Sequence, residues 1–286
     1  MSQPVLAPRV DAHLHLWDLD RGGYAWLTPE QGPLHRSFRP EQARAELDGC
    51  GVRSAVLVQA EDSEQDTAAM LAVADAQPWV VGVVGWVDLE QPDTAARQLD
   101  RWTEHPAFCD VRTLVHDDPR DGVLGLPAVR TSLSAIARRG LPFDVPDAWP
   151  RHLSDVAVLA AALPDLQVVV DHLGKPPAAR EHWGDWRRAL AAVASQPGTT
   201  AKVSGLQAPG VPFDTRHVRP AWETALELFG PGRLMWGSDW PMTELSAGYA
   251  GTWQALSVLV AELSADEQAA VLGGTAERVY RLREQA

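Results

Sequence analysis

Val80-Val81-Gly82-Val83-Val84 is apolar at every position, and Val168-Val169-Val170 repeats the pattern further along the chain. A strand with one wet face alternates apolar and polar residues, so an unbroken run implies burial on both faces, as in a parallel sheet covered by helices. Around these two runs (residues 80–87 and 166–171) lie six more of similar character, at residues 9–15, 54–60, 110–115, 141–145, 199–204 and 234–237. Their starts are about 25–45 residues apart, enough for a strand–helix–strand crossover.

The intervening segments carry helix signals. Pro40 opens a helix over 41–47, with Gly49 and Gly51 as its stop. Helices over 65–76, 152–163, 183–194 and 220–228 each run into a proline or glycine. Ser264 and Glu267 form a capping box for a helix ending at Gly273-Gly274, and a short helix follows from Thr275. Eight strand–helix units without a composition break predict an α/β fold, a single (β/α)8 TIM barrel forming one domain over residues 1–286. The competing open doubly wound sheet lacks a G-x-G-x-x-G after the first strand. Segments 17–39 and 207–219, rich in glycine and proline, read as loops covering a pocket.

Composition narrows the function. The 286 residues carry a formal charge of −13, which makes nucleic acid and anionic membranes poor partners. Only Cys50 and Cys109 occur, without metal-type spacing, which suits a reducing cytoplasm. Residues 1–8 lack a basic start and a long apolar run, so no signal peptide is expected, and no stretch reaches transmembrane length.

In such barrels the chemistry sits at the C-terminal ends of the strands. Those ends hold His13 and His15; Gln59 and Glu61; Trp86 and Asp88; Arg112 and His116; Asp144 and Asp147; Asp171, His172 and Lys175; Lys202 and Ser204; and Ser238, Asp239 and Trp240. His13 and His15 are two apart, hence on one strand face about 7 Å apart, where they can hold a metal or grip a substrate oxygen. Arg112 has a planar fork for a carboxylate or hydroxyl, or for a structural salt bridge. Gln59, Trp26, Trp86, His116, Asp144 and Trp240 complete the expected substrate contacts. Asp171, beside His172, is expected to point away from the pocket, and Lys175 to set its loop.

His13-Leu14-His15-Leu16-Trp17-Asp18, Val170-Asp171-His172-Leu173-Gly174-Lys175-Pro176, Lys202-Val203-Ser204-Gly205-Leu206 and Trp236-Gly237-Ser238-Asp239-Trp240-Pro241 together resemble the amidohydrolase superfamily. The likeness is closest to its sugar-lactonase and dicarboxylate-lactonase branch, the group of the fuconolactonases and rhamnonolactonases. It implies a cytoplasmic hydrolase opening the lactone ester of a sugar acid or related small acid, with the lactone or sugar acid as its partner. A homo-oligomer is compatible with it. By position, His13 and His15 match the first-strand pair, His172 the sixth-strand histidine and Asp239 the eighth-strand acid. The fifth strand lacks the histidine of metal-dependent members, so no binuclear centre is expected. Either no cofactor is required, or a single divalent metal such as zinc sits on His13, His15 and Asp239.

The resemblance makes Asp239 the general base, with His13, His15 and His172 polarising the carbonyl or holding the ion. Burial would have to raise the Asp239 pKa for that task, or a metal would have to acidify the water. Two alternatives accompany it: a metal-dependent decarboxylase of a small unsaturated acid, and a non-catalytic barrel that binds a sugar acid.

Overall fold

The computed structural model describes residues 9–282, so the sequence features at 1–8 and 283–286 lie outside it. Eight strands follow one another in space as they do in sequence: β1 (Val10–Leu14), β2 (Ser54–Val58), β3 (Val80–Gly85), β4 (Phe108–Arg112), β5 (Phe143–Val145), β6 (Val168–Val170), β7 (Thr199–Val203) and β8 (Leu234–Trp236). Every neighbouring pair is parallel. The ends of the sheet meet: His15 N–H donates to Trp240 C=O at 2.7 Å, and Asp239 N–H to His13 C=O at 2.8 Å. Asp11 Oδ1 reinforces this seam by accepting from the backbone N–H of Ser238 at 2.8 Å. The result is the expected (β/α)8 barrel.

Helices separate the strands: α1 (Pro40–Gly49), α2 (Glu64–Ala76), α3 (Pro92–Thr103), α4 (Pro127–Arg138), α5 (Leu153–Ala162), α6 (Trp183–Ala194), α7 (Thr215–Phe229) and α8 (Gly248–Val260). Two expectations need correction. The seventh helix starts at Thr215 rather than at Pro220, because the Asp214 side chain caps it by accepting from His217 N–H. Pro220 then falls inside the helix and removes one backbone donor. The last helix does not stop at Gly273-Gly274: α9 (Ala265–Ala269) passes through a wide turn at Ala270–Gly274 into α10 (Thr275–Tyr280).

Two apolar clusters form the core. The larger packs the strands against the helices. The smaller joins Val10, Ala12, Val56, Val58, Val169 and Met235 to Val279 and Tyr280 of α10, which plug one end of the barrel. Among the described residues no helix is long and apolar enough to cross a membrane.

Candidate active site

Past the C-terminal ends of the strands lies a cleft of about 370 Å³, within the roughly 300–1,000 Å³ usual for small-molecule sites. His15, Trp26, Arg112, His116, His172 and Asp239 line it, as expected of them, and His13 lies beneath with no exposure. The segment after β1 arches over the opening, contributing Trp17, Trp26 and Gln31. It is pinned by Tyr24, whose hydroxyl donates to Asp66 Oδ1 at 2.6 Å, and by Trp26, whose indole donates to Ala60 C=O at 2.9 Å. Of seven non-glycine residues with positive φ among the described residues, Asp147, His172, Lys175 and Asp239 line this cleft. Such strain persists where the surrounding structure imposes it, often at functional sites.

Asp239 Oδ1 is the hub. It lies 3.5 Å from His15 Nε2, 3.8 Å from His13 Nε2 and 3.8 Å from His172 Nε2. The rings of His13 and His15 lean together, bringing their Nε2 atoms to 3.1 Å, much closer than the strand spacing suggests. His15 Nδ1 donates to Val58 C=O at 2.8 Å, which leaves its Nε2 free as an acceptor or ligand when neutral. His172 Nδ1 pairs with Ser204 Oγ at 2.9 Å. Its ring fits because residue 205 is glycine: a Cβ there would come within 2.2 Å of His172 Nδ1.

Burial pushes the Asp239 pKa up, but the three imidazoles around the carboxyl, His172 foremost, outweigh it and hold it well below the usual range. Of the two conditions set for a base at this position, a raised pKa is therefore not met, and the acidified water is the one that stands. Desolvation in turn pushes His13 and His172 down and keeps them neutral near pH 7.

Beneath the histidines runs a column of buried charge. Lys202, fully buried, hydrogen-bonds Asp144 Oδ2 at 2.5 Å, lies 3.0 Å from Asp171 Oδ1, and reaches His13 Nδ1 at 3.2 Å. Asp171 Oδ2 also accepts from Arg112 Nη1 at 3.1 Å, and Arg112 Nη2 donates to Gln59 C=O at 2.7 Å. Asp171 thus supports His13 and Arg112 from below instead of pointing away.

Four expected substrate contacts lie elsewhere. Asp144 is fully buried, spent on Lys202 and the Tyr280 hydroxyl. Gln59, also fully buried, donates to Asp62 Oδ1 at 2.9 Å and braces Arg112. Trp240 packs edge-on against Phe38 with its indole N–H on Glu244. Trp86 leaves β3 toward α2, its backbone N–H on Thr67 Oγ1. The cleft instead recruits Trp17, Gln31, Leu114, Asp117, Asp147, Lys175, Gln207 and Met242. The glycine- and proline-rich loop signals at 17–39 and 207–219 pointed to the segments of Trp17, Gln31 and Gln207, though not to those side chains.

The donor set fits one metal ion. Ligands about 2.0–2.1 Å from a tetrahedral zinc ion sit roughly 3.3 Å apart, and His13, His15 and Asp239 offer atoms at 3.1, 3.5 and 3.8 Å. The other triad, His13, Asp171 and His172, shares Asp171 with the cations of Lys202 and Arg112, which oppose a second ion.

An amidohydrolase family profile matches residues 10–282. The chain belongs to that family. This amidohydrolase is 33% identical over 280 residues to an L-fucono-1,5-lactonase of Burkholderia ambifaria, with 96% of each chain covered. An amidohydrolase from Burkholderia multivorans, solved with bound zinc, superposes with a TM-score of 0.88 at 30% identity, covering 97% of this chain and all of that one. A 5-carboxyvanillate decarboxylase from Sphingomonas paucimobilis shares the fold, with a TM-score of 0.69 at 16% identity over 97% of this chain and all of its own.

Proposed function

We propose that this amidohydrolase is a carboxylic-ester hydrolase that opens the lactone ring of a sugar acid, with L-fucono-1,5-lactone the first substrate to test. One observation carries the reading: an ionised Asp239 at the centre of three histidines, in a cleft sized for a small molecule. The full-length similarity to a fuconolactonase supports it.

Asp239 accepts a proton from a water molecule as the water oxygen attacks the lactone carbonyl. A carboxylate with a depressed pKa is a weak base, so the site must stabilise the charge that develops on the carbonyl oxygen. With Ser204 donating to its Nδ1, His172 carries its proton on Nε2, beside Asp239 and available to that oxygen. When the tetrahedral species collapses, the ring C–O bond breaks and Asp239 returns the proton to the departing oxygen, releasing the open hydroxy acid. His13, His15 and Asp239 would hold a divalent ion, which would supply Lewis acidity and lower the pKa of a bound water. Esters need less activation than amides, so these residues suit lactone opening without stronger machinery.

Decarboxylation is less favoured, because the lactonase relative is 33% identical over 280 residues, whereas the decarboxylase shares the fold at 16% identity. The deciding assay follows proton release from five- and six-membered aldonolactones, with and without chelator. No acceleration over spontaneous hydrolysis on any of them would overturn the reading.

A further inference from the structure

Three polar atoms of residues lining the cleft are buried without a hydrogen-bond partner: Asp147 Oδ1, Gln207 Oε1 and Arg112 Nε. The orientation of Gln207 is forced. Asp239 Oδ2 only accepts, so the Gln207 amide turns its nitrogen toward it at 3.0 Å, and Oε1 is left as an acceptor without a donor. Asp147 is held at φ 38°, a conformation that side chains other than glycine seldom adopt. Its other oxygen stands 3.9 Å from Lys175 Nζ, too far for a hydrogen bond. Unsatisfied buried atoms in a native structure call for an explanation, and a ligand is one. Two acceptors and one donor match a molecule bearing hydroxyl groups and a carbonyl oxygen. A carboxylate placed at Asp147 itself would bring acceptors and negative charge against that acid.

We propose that Asp147 is a specificity-determining residue: its carboxylate accepts a hydrogen bond from a ring hydroxyl and selects neutral polyhydroxylated lactones over bare or carboxylated ones. This rests on the lactonase reading and deepens it. Gln207 Oε1 takes a second hydroxyl, and Trp17 and Trp26, which line the same cleft, offer apolar surface to the ring.

The test compares wild type with Asp147→Asn and Asp147→Gly. Asparagine tolerates the left-handed backbone with its shape kept, and glycine removes the carboxylate while relieving the φ strain. Each protein is assayed on an aldono-1,5-lactone and on unsubstituted δ-valerolactone. Calorimetry measures binding of the matching lactams, in which an amide replaces the ring ester. The preference for the hydroxylated ring should fall about 10- to 100-fold in Asp147→Gly, the range of one hydrogen bond to a charged group, and less in Asp147→Asn. Equal losses on both rings, or no loss, overturn the proposal. If wild type hydrolyses neither lactone, the lactonase reading fails by itself. The lactam binding ratio still decides Asp147: a ratio unchanged in both variants, or no binding by wild type, overturns its role.

Discussion

The ammonium of Lys202 lies 3.2 Å from Nδ1 of His13, and neither side chain has any exposure to solvent. A fixed positive charge therefore stands directly behind the histidine at the base of the site. Lys202 is tied down by Asp144 and Asp171, and Asp144 in turn by Tyr280 of the C-terminal helix. Breaking a buried ion pair from one side strands the remaining charges. Lys202→Met should thus destabilise the protein by about 3–5 kcal/mol in urea titrations. A loss below about 1 kcal/mol, the scale of exposed pairs, would show that the column contributes little.

Removing the proposed base separates chemistry from folding. Asp239→Asn keeps size and shape, and its loss should cut kcat on a turned-over lactone about 10²- to 10⁴-fold. Circular dichroism and the melting transition confirm that the fold survives. Near-normal turnover in a folded Asp239→Asn protein excludes it as the base.

The pH profile carries a sign. Burial lowers the His13 and His172 pKa values below 6.5, so both stay neutral on descending through that pH. Asp239, held well below the usual carboxylate range, stays ionised throughout. We expect kcat/KM to be flat from pH 8 down to about 6.5, the ordinary histidine value, and to fall only at lower pH as the histidines gain protons. An acid limb centred at or above 6.5 contradicts this arrangement.

Metal content gives a stoichiometry. The His13, His15 and Asp239 triad holds one ion, and Lys202 with Arg112 opposes a neighbour. Zinc titration followed by elemental analysis should saturate at no more than one ion per chain and be abolished in His15→Asn. Two tightly bound ions per chain are incompatible with a charged Lys202 in place.

Much of this was legible from residue order. Valine runs such as Val168-Val169-Val170 fit only strands buried on both faces, so the parallel barrel followed from them. His13, His15, His172 and Asp239 were findable because strand ends define the mouth of a barrel. What escaped were the directions of side chains once the strand geometry stopped. Alternation predicts that Asp171 and His172 diverge, but β6 ends at Val170 and His172 takes φ 55°, so both reach His13. Lys202 sits at a strand end on paper, yet its long stem carries the ammonium into the barrel, because Asp144 and Asp171 wait there. The roles of Asp147 and Gln207 depend on loop conformations that no periodicity encodes.

The seam between β1 and β8 has a consequence for how this molecule is made. His13 and His15 leave the ribosome more than two hundred residues ahead of Asp239. Until β8 docks beside β1, the histidines lack their acid and the barrel is open. A chain that stops before β8 thus lacks the assembled cluster however much of its helical layer has formed.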